Sequence, residues 1–234
     1  MPEAVLVTGG NRGIGRAIAM EFVNRGKAVF ITSRKPVSVD GCTVLVADLT
    51  FPSACDSVID QIESAGYTLS NVVVNAGVSA EALLVRTTDE QIDQLVKVNL
   101  ISTIRLARRA AKSMMKSRSG SIVFVGSVLG LSGSAGSSVY AATKSGLVGL
   151  TRSLAREIGS RNVTVNLVAP GYVNTDMTSN LPVEFKSKVI EQTPLARIAE
   201  PEEIAKTVAF LCSKDARFIT GAIIPVDGGL GMGH

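Results

Sequence analysis

Tyr140 and Lys144 stand four positions apart in Tyr140-Ala141-Ala142-Thr143-Lys144, and Ser127 lies thirteen positions upstream. Residues four apart on a helix share one face, one turn separated. An ammonium beside a phenol favours the phenolate and lowers a pKa that is about 10 when unperturbed. A tyrosine so placed works as a general acid/base near neutral pH, and a nearby serine hydroxyl holds a carbonyl oxygen. The same spacing also occurs on ordinary helix surfaces, so the pair does not define a site by itself. His234, the only histidine, is the last residue of the sequence, so no histidine base is expected to serve a serine nucleophile.

A second constellation sits near the other end. Val5-Leu6-Val7 is a short apolar run of the kind that forms a buried strand, and Arg16–Phe22 has helical periodicity. Between them lies Thr8-Gly9-Gly10-Asn11-Arg12-Gly13-Ile14-Gly15. Strand, glycine-rich turn and helix make the context in which a helix N-terminus offers unpaired N–H groups to a pyrophosphate. The spacing is Gly-x-x-x-Gly-x-Gly, not the commoner G-x-G-x-x-G. A tight turn without a ligand is the alternative.

Thr8-Gly9-x3-Gly13-Ile14-Gly15, Asn75-Ala76-Gly77, Asn99, Ser127, Tyr140-x3-Lys144 and Pro170-Gly171 occur in one order along the chain. In that order and spacing the sequence resembles the short-chain dehydrogenase/reductase family from Val5 to Gly229. Gly126-Ser127-Val128, Val168–Thr178 and Ile224–His234 look most like the 3-oxoacyl-(acyl-carrier-protein) reductases of type II fatty-acid synthesis. Val74 departs from a second asparagine that the family often has there.

The resemblance implies a hydride transfer from a nicotinamide cofactor to a ketone. Tyr140 would deliver the proton, Ser127 would orient the oxygen, and Lys144 would lower the tyrosine pKa and bind the nicotinamide ribose. Asn99 would position water linking Lys144 to solvent; in residue terms it is equally a cap for a helix kink. Gly9, Asn11, Arg12, Gly13, Ile14 and Gly15 would hold the phosphates, and Asn75, Ala76 and Gly77 would contact the cofactor at a strand end. Asp48 and Leu49 would meet the adenine, although a lone aspartate after a strand is also a plain turn former. Pro170, Gly171, Val173 and Thr175 would shape the nicotinamide face. Residues 177–200 correspond to the variable substrate loop, where Leu181, Val183, Phe185, Val189, Ile190 and Leu195 give an apolar side that suits an acyl chain or simple packing. A homotetramer is implied, with a dimer as the fallback.

The ribose end can be read from charge. A carboxylate about 20 residues past the glycine turn would bind a 2′-hydroxyl. Here Thr32-Ser33-Arg34-Lys35 closes the second strand, and the nearest acid is Asp40. A guanidinium grips a 2′-phosphate with charge-assisted bonds, and a carboxylate would repel it. Arg34 and Arg12 therefore point to NADPH/NADP, unless they are solvated residues at a strand end.

With 234 residues, 46% of them hydrophobic, the chain has the length of one α/β domain, 1–234. Seven apolar runs begin at Val5, Val29, Val44, Val72, Ile122, Thr164 and Ala222, and helical patterns lie between most of them. That alternation predicts a single Rossmann-like domain, a doubly wound seven-stranded parallel sheet with helices on both faces, in the order 3-2-1-4-5-6 plus an edge strand. Thr88–Ser117 reads as one long helix. Only about eleven residues, Ser33 to Thr43, join the second and third strands, and Pro36 and Gly41 argue for a loop crossing where the family places a helix.

The net charge is +4, and aromatic residues make up 4%. No dense basic run favours nucleic acid, and a phosphorylated cofactor with an acidic carrier protein accounts for the charge. Arg118 and Arg161 are candidates for carrier docking, although the topology puts both at the strands' amino ends. Cys42, Cys55 and Cys212 read as free packing thiols, no metal set is present, and no apolar run reaches the roughly 18 residues of a membrane span. A cytoplasmic enzyme is expected. The rivals are a reductase of another carbonyl substrate, such as a coenzyme A ester, and a non-catalytic NADP(H)-binding subunit. Ser127, Tyr140, Lys144 and Asn99 together count against the latter.

Overall fold

All seven expected strands form. In the computed structural model they are β1 (Glu3–Val7), β2 (Ala28–Ser33), β3 (Cys42–Val46), β4 (Thr68–Val74), β5 (Gly120–Val125), β6 (Val163–Pro170) and β7 (Ile223–Val226). They build one sheet in the order β3-β2-β1-β4-β5-β6-β7 with every pairing parallel. The structure describes residues 1–179 and 182–232. Leu181 of the expected substrate loop, and Gly233 and His234 of the tail, lie outside them.

The strands are continuous apolar runs because both faces of the sheet are covered. Along β1, Ala4 and Leu6 pack under α2 (Pro52–Ser64), α4 (Ser102–Ser117) and α6 (Ser138–Ile158). The alternate residues Val5 and Val7 pack under α1 (Gly13–Asn24) and α9 (Pro201–Leu211). From β4 to β6 the chain moves one way along the sheet with its helices on the α4–α6 face. The β6–β7 connection continues that way, yet α9 lies on the other face beside α1. This crossover therefore has the opposite hand to those before it, an exception to a strong rule.

Two differences from regular alternation bear on the site. No helix joins β2 to β3. Residues 34–41 cross as a loop whose Val39, 7% exposed, fills the core beside α1, while Gly41 turns at φ 73° against Val23. The helix expected over Thr88–Ser117 is interrupted: α3 (Asp89–Val96) leads into a π-helical turn at Lys97–Ile101 before α4. Such a turn inserts one extra residue into the helix, often at a functional site. Val74, at the departure from the family pattern, is buried in the core.

Burial pushes all three thiols up, Cys212 to about 12. They are protonated packing groups at neutral pH. Among the described residues no group of ligands suits a metal, and no helix is long and apolar enough to cross a membrane.

Candidate active site

The carboxyl ends of the parallel strands surround a cavity of about 1270 Å³, larger than the roughly 300–1,000 Å³ of most small-ligand pockets. Gly9, Asn11, Arg12, Gly13, Ile14, Gly15, Arg34, Asp48, Leu49, Asn75, Ala76 and Gly77 line one stretch of it. Ser127, Tyr140, Lys144, Pro170, Gly171, Val173 and Thr175 line the rest. Every expected site residue except Asn99 therefore borders one space. A separate hollow of about 630 Å³ between β3 and α2 contains none of them.

At one end the turn after β1 is shaped for close approach. Gly9 takes φ 64°, a conformation open to glycine. A Cβ at Gly15 would run into the Gly9 carbonyl and Asn75. Helix α1 starts here with no acidic residue in its first turn and no side-chain cap. Its first N–H groups are thus free of intrahelical partners and carry the helix's positive end. This cradle fits the pyrophosphate of a dinucleotide. Thr8, fully buried, holds it in place: its hydroxyl accepts from the Asn75 and Ala76 N–H groups at 2.9 and 3.0 Å, tying the ends of β1 and β4 together. Thr32 Oγ1 likewise accepts from Gly9 N–H at 3.1 Å. Neither threonine stood out in the sequence as a site residue, although a hydroxyl at the carboxyl end of a buried strand was a usable signal.

On the side expected to meet the ribose, Arg12, Arg34 and Lys35 are all exposed on the cavity rim. Asp48 accepts from Thr50 N–H at 3.0 Å, and that bond, with weaker help from Arg34 and Lys97, holds its carboxyl below the usual range. The carboxylate is therefore charged and free to accept from an exocyclic amine, with Leu49 buried beside it.

At the other end, Ser127 follows β5 and Tyr140 and Lys144 project from α6. Lys144 is 6% exposed, and its Nζ donates to the Val125 carbonyl at 2.8 Å. Burial lowers its pKa to about 8, so the ammonium persists at neutral pH but only narrowly. Tyr140 corrects an expectation. Burial raises its pKa, a hydrogen bond with Ser127 works against that, and Tyr172 adds to the rise. The Lys144 ammonium stands 5.8 Å from the ring centroid and is aimed at Val125. Dehydration of the phenol dominates here. Tyr140 is held protonated, the form that a proton donor requires.

Asn99 lies one layer behind the cavity wall, 1% exposed, on the π-helical turn. Its Oδ1 accepts from Val78 N–H and its Nδ2 donates to the Val78 carbonyl, both at 2.9 Å. The amide thus clamps the segment after Asn75-Ala76-Gly77, and its backbone carbonyl accepts from Thr103 Oγ1 at 2.9 Å. The expected break in the helix is a π-helical turn, and Asn99 on it holds Val78.

Past β6, Thr178 Oγ1 donates to the Val173 carbonyl and accepts from Thr175 N–H at 3.1 Å. The expected substrate loop holds α7 (Asp176–Ser179) and α8 (Val183–Gln192). Phe185 of α8 meets Tyr172 edge-on, 5.7 Å between centroids, and Val189 is buried, while Val183 and Leu195 remain exposed. The two ends of the loop are joined by a parallel bridge between Val173 and Ala199. Arg197 adds a bidentate pair to Glu203 at 2.6 and 2.7 Å.

Comparison with known proteins agrees with this geometry. A family profile described as enoyl-(acyl carrier protein) reductase matches residues 9–231. The 3-oxoacyl-[acyl-carrier-protein] reductase MabA of Mycobacterium tuberculosis is 43% identical over 232 residues, 99% of this chain and 94% of that protein. The 3-oxoacyl-[acyl-carrier-protein] reductase FabG of Escherichia coli is 40% identical over 238 residues, 98% of each. A crystal structure from Agrobacterium tumefaciens, provisionally assigned as a gluconate dehydrogenase, superposes with a TM-score of 0.94 at 29% identity and covers 98% of this chain and 96% of its own. The cradle, the Ser127–Tyr140–Lys144 arrangement and these matches lead to one conclusion: the chain belongs to the short-chain dehydrogenase/reductase family.

Proposed function

We propose that this protein is an NADPH-dependent 3-oxoacyl-(acyl-carrier-protein) reductase, forming the 3-hydroxyacyl thioester during fatty-acid elongation. The observation that carries the reading is the convergence of Ser127, a protonated Tyr140 and Lys144 on the cavity that the glycine turn opens into. The names of the relatives supply the substrate class.

Bound NADPH supplies the hydride. Gly9 to Gly15 and the start of α1 hold its phosphates, and Arg34 and Arg12 meet the 2′-phosphate. Asp48 and Leu49 face the adenine, while Asn75 to Gly77, Pro170, Gly171, Val173 and Thr175 fix the nicotinamide half. Ser127 donates to the ketone oxygen and orients it. Tyr140 gives that oxygen its phenolic proton as negative charge develops there, and the Lys144 ammonium stabilises the phenolate left behind. Conjugate reduction of an enoyl thioester also builds charge on a carbonyl oxygen, so it is the names of the relatives that favour the ketone over the enoyl substrate in the family profile's description.

The test is NADPH oxidation with an acetoacetyl thioester of carrier protein, with the coenzyme A thioester, and with a sugar-acid ketone. We expect the first to be used best and the third to be inert; a reversed order would replace the substrate class and leave the chemistry standing. In the same assay NADH should be the poorer cofactor. A charge-assisted contact contributes roughly 1.5–3 kcal/mol, or about a tenfold to hundredfold preference, and Arg34→Ala should erase most of it. Equal affinities for the two cofactors in a fluorescence titration would remove Arg34 from this role.

A homotetramer accompanies this reading. Ile101 and Ile104 stay exposed beside the π-helical turn, as do Phe210 and Phe218 near the other sheet edge, so two separate faces carry apolar surface for partners. Light scattering at micromolar protein should give the mass of four chains; a monomer would overturn the assembly. Arg118 and Asn162, the neighbour of Arg161, meet at the strands' amino ends, where Asn162 Nδ2 donates to the Arg118 carbonyl at 3.4 Å. Within one subunit that edge faces away from the cavity, so these arginines reach a docked carrier only beside another subunit's site.

A further inference from the structure

Thr143 lies between Tyr140 and Lys144 on α6 and is 2% exposed. Its Oγ1 donates to the Tyr140 carbonyl at 2.7 Å and accepts from Asn99 Nδ2 at 3.3 Å. The direction of this chain of bonds is fixed. Asn99 Oδ1 accepts from the Val78 N–H, and one Nδ2 hydrogen goes to the Val78 carbonyl. The other hydrogen of that amide is left for Thr143, whose own single proton goes to Tyr140.

A threonine bonding back along its own helix is common and needs no function. The Asn99 contact is different, because it joins α6 to the π-helical turn of another helix. A Cβ built on Gly77 would lie 3.3 Å from Asn99 Oδ1 and 3.6 Å from Lys144 Nζ. The amide oxygen and the ammonium thus face the same small space beside Gly77. Rotating the amide by half a turn would put N–H groups in that space in place of an oxygen. It would also set donor against donor and acceptor against acceptor at Val78.

We infer that Thr143 is a positioning residue for the reduction: by accepting from the Asn99 amide, which Val78 orients, it locks the catalytic helix to the Gly77–Val78 segment beside Lys144. The inference rests on the reading of Tyr140 and Lys144 as the proton-donating pair. The lock acts when charge passes to Tyr140 and Lys144 must not shift. Its loss therefore belongs to turnover and not to ground-state binding.

The experiment uses the full-length enzyme, NADPH and an acetoacetyl thioester. Thr143→Val keeps the shape and removes the hydroxyl; Thr143→Ser keeps the hydroxyl. We expect Thr143→Val to lower kcat about tenfold with both KM values within about twofold of native, and Thr143→Ser to recover most of that loss. Added to Asn99→Ala, Thr143→Val should have little further effect, because the two residues act through one bond. Native kcat in Thr143→Val, equal impairment in Thr143→Ser, or the same fractional loss in the Asn99→Ala background would overturn the inference. If Thr143→Val does not fold, Thr143→Ala against Thr143→Ser makes the same comparison. Tyr140→Phe is the control: activity there would defeat the catalytic reading itself, whereas native behaviour of Thr143→Val alone removes only the role of Thr143.

Discussion

Tyr140→Phe should bind NADPH normally and turn over roughly 10²–10⁴-fold more slowly, the usual contribution of a positioned acid. The ring stays, so the packing that buries it is kept, and only the proton is gone. Ser127 remains to orient the ketone, which is why some residual rate should survive. The phenol's raised pKa sharpens the expectation. Across the neutral range the native residue is already loaded with its proton. Single-turnover measurements with prebound cofactor would isolate the step. A variant with near-native turnover would sink the mechanism.

Lys144→Met should lose most activity and gain stability. The lysine's folded-state pKa of about 8 lies below its ordinary 10.5. At pH values below 8 the amine is charged in both states, and folding bears the full cost of dehydrating the ammonium. As pH rises through 8 the folded form sheds its proton first, and the cost fades until it is gone above 10.5. The shift corresponds to roughly 3 kcal/mol at neutral pH, less the bond to Val125 that the lysine makes. Removing the charge should therefore raise Tm at pH 7 by several degrees, at roughly 2–4 °C per kcal/mol in a chain of this size. That advantage should shrink between pH 8 and 10.5, whereas native activity should decline earlier, around pH 8, as the folded-state ammonium is lost. Equal Tm values at pH 7 would mean that Val125 already compensates the buried charge in full. This is a stability–function conflict of the kind active sites commonly carry.

Much of this was legible in the sequence, for reasons that can be named. The seven strands were readable because both faces are buried, so Val5-Leu6-Val7 or Ile122–Val125 needs no polar alternation. The loop between β2 and β3 followed from too few residues for a helix and from Pro36. Asn99 reads from the sequence as a cap for a helix kink, but its partner Val78 lies 21 positions away, and no local rule predicts the π-helical turn on which it sits. Thr143 was silent for the same reason: a hydroxyl's importance lies in its tertiary partner. The direction of the Tyr140 shift was missed because spacing places a lysine near a phenol but gives neither the aim of its ammonium nor the dryness of the site.

The loop that crosses from β2 to β3 sends one side chain, Val39, into the core, and the rest of residues 34–41 stand in solvent. The segment that would discriminate between two dinucleotides is therefore mechanically detached from the packing that keeps the sheet folded. Substitutions from Arg34 to Asp40, sparing Val39, can change which cofactor is preferred while leaving the melting temperature almost unmoved. A lineage carrying this short crossing could exchange one redox currency for the other in a few mutational steps, without first acquiring compensating changes elsewhere.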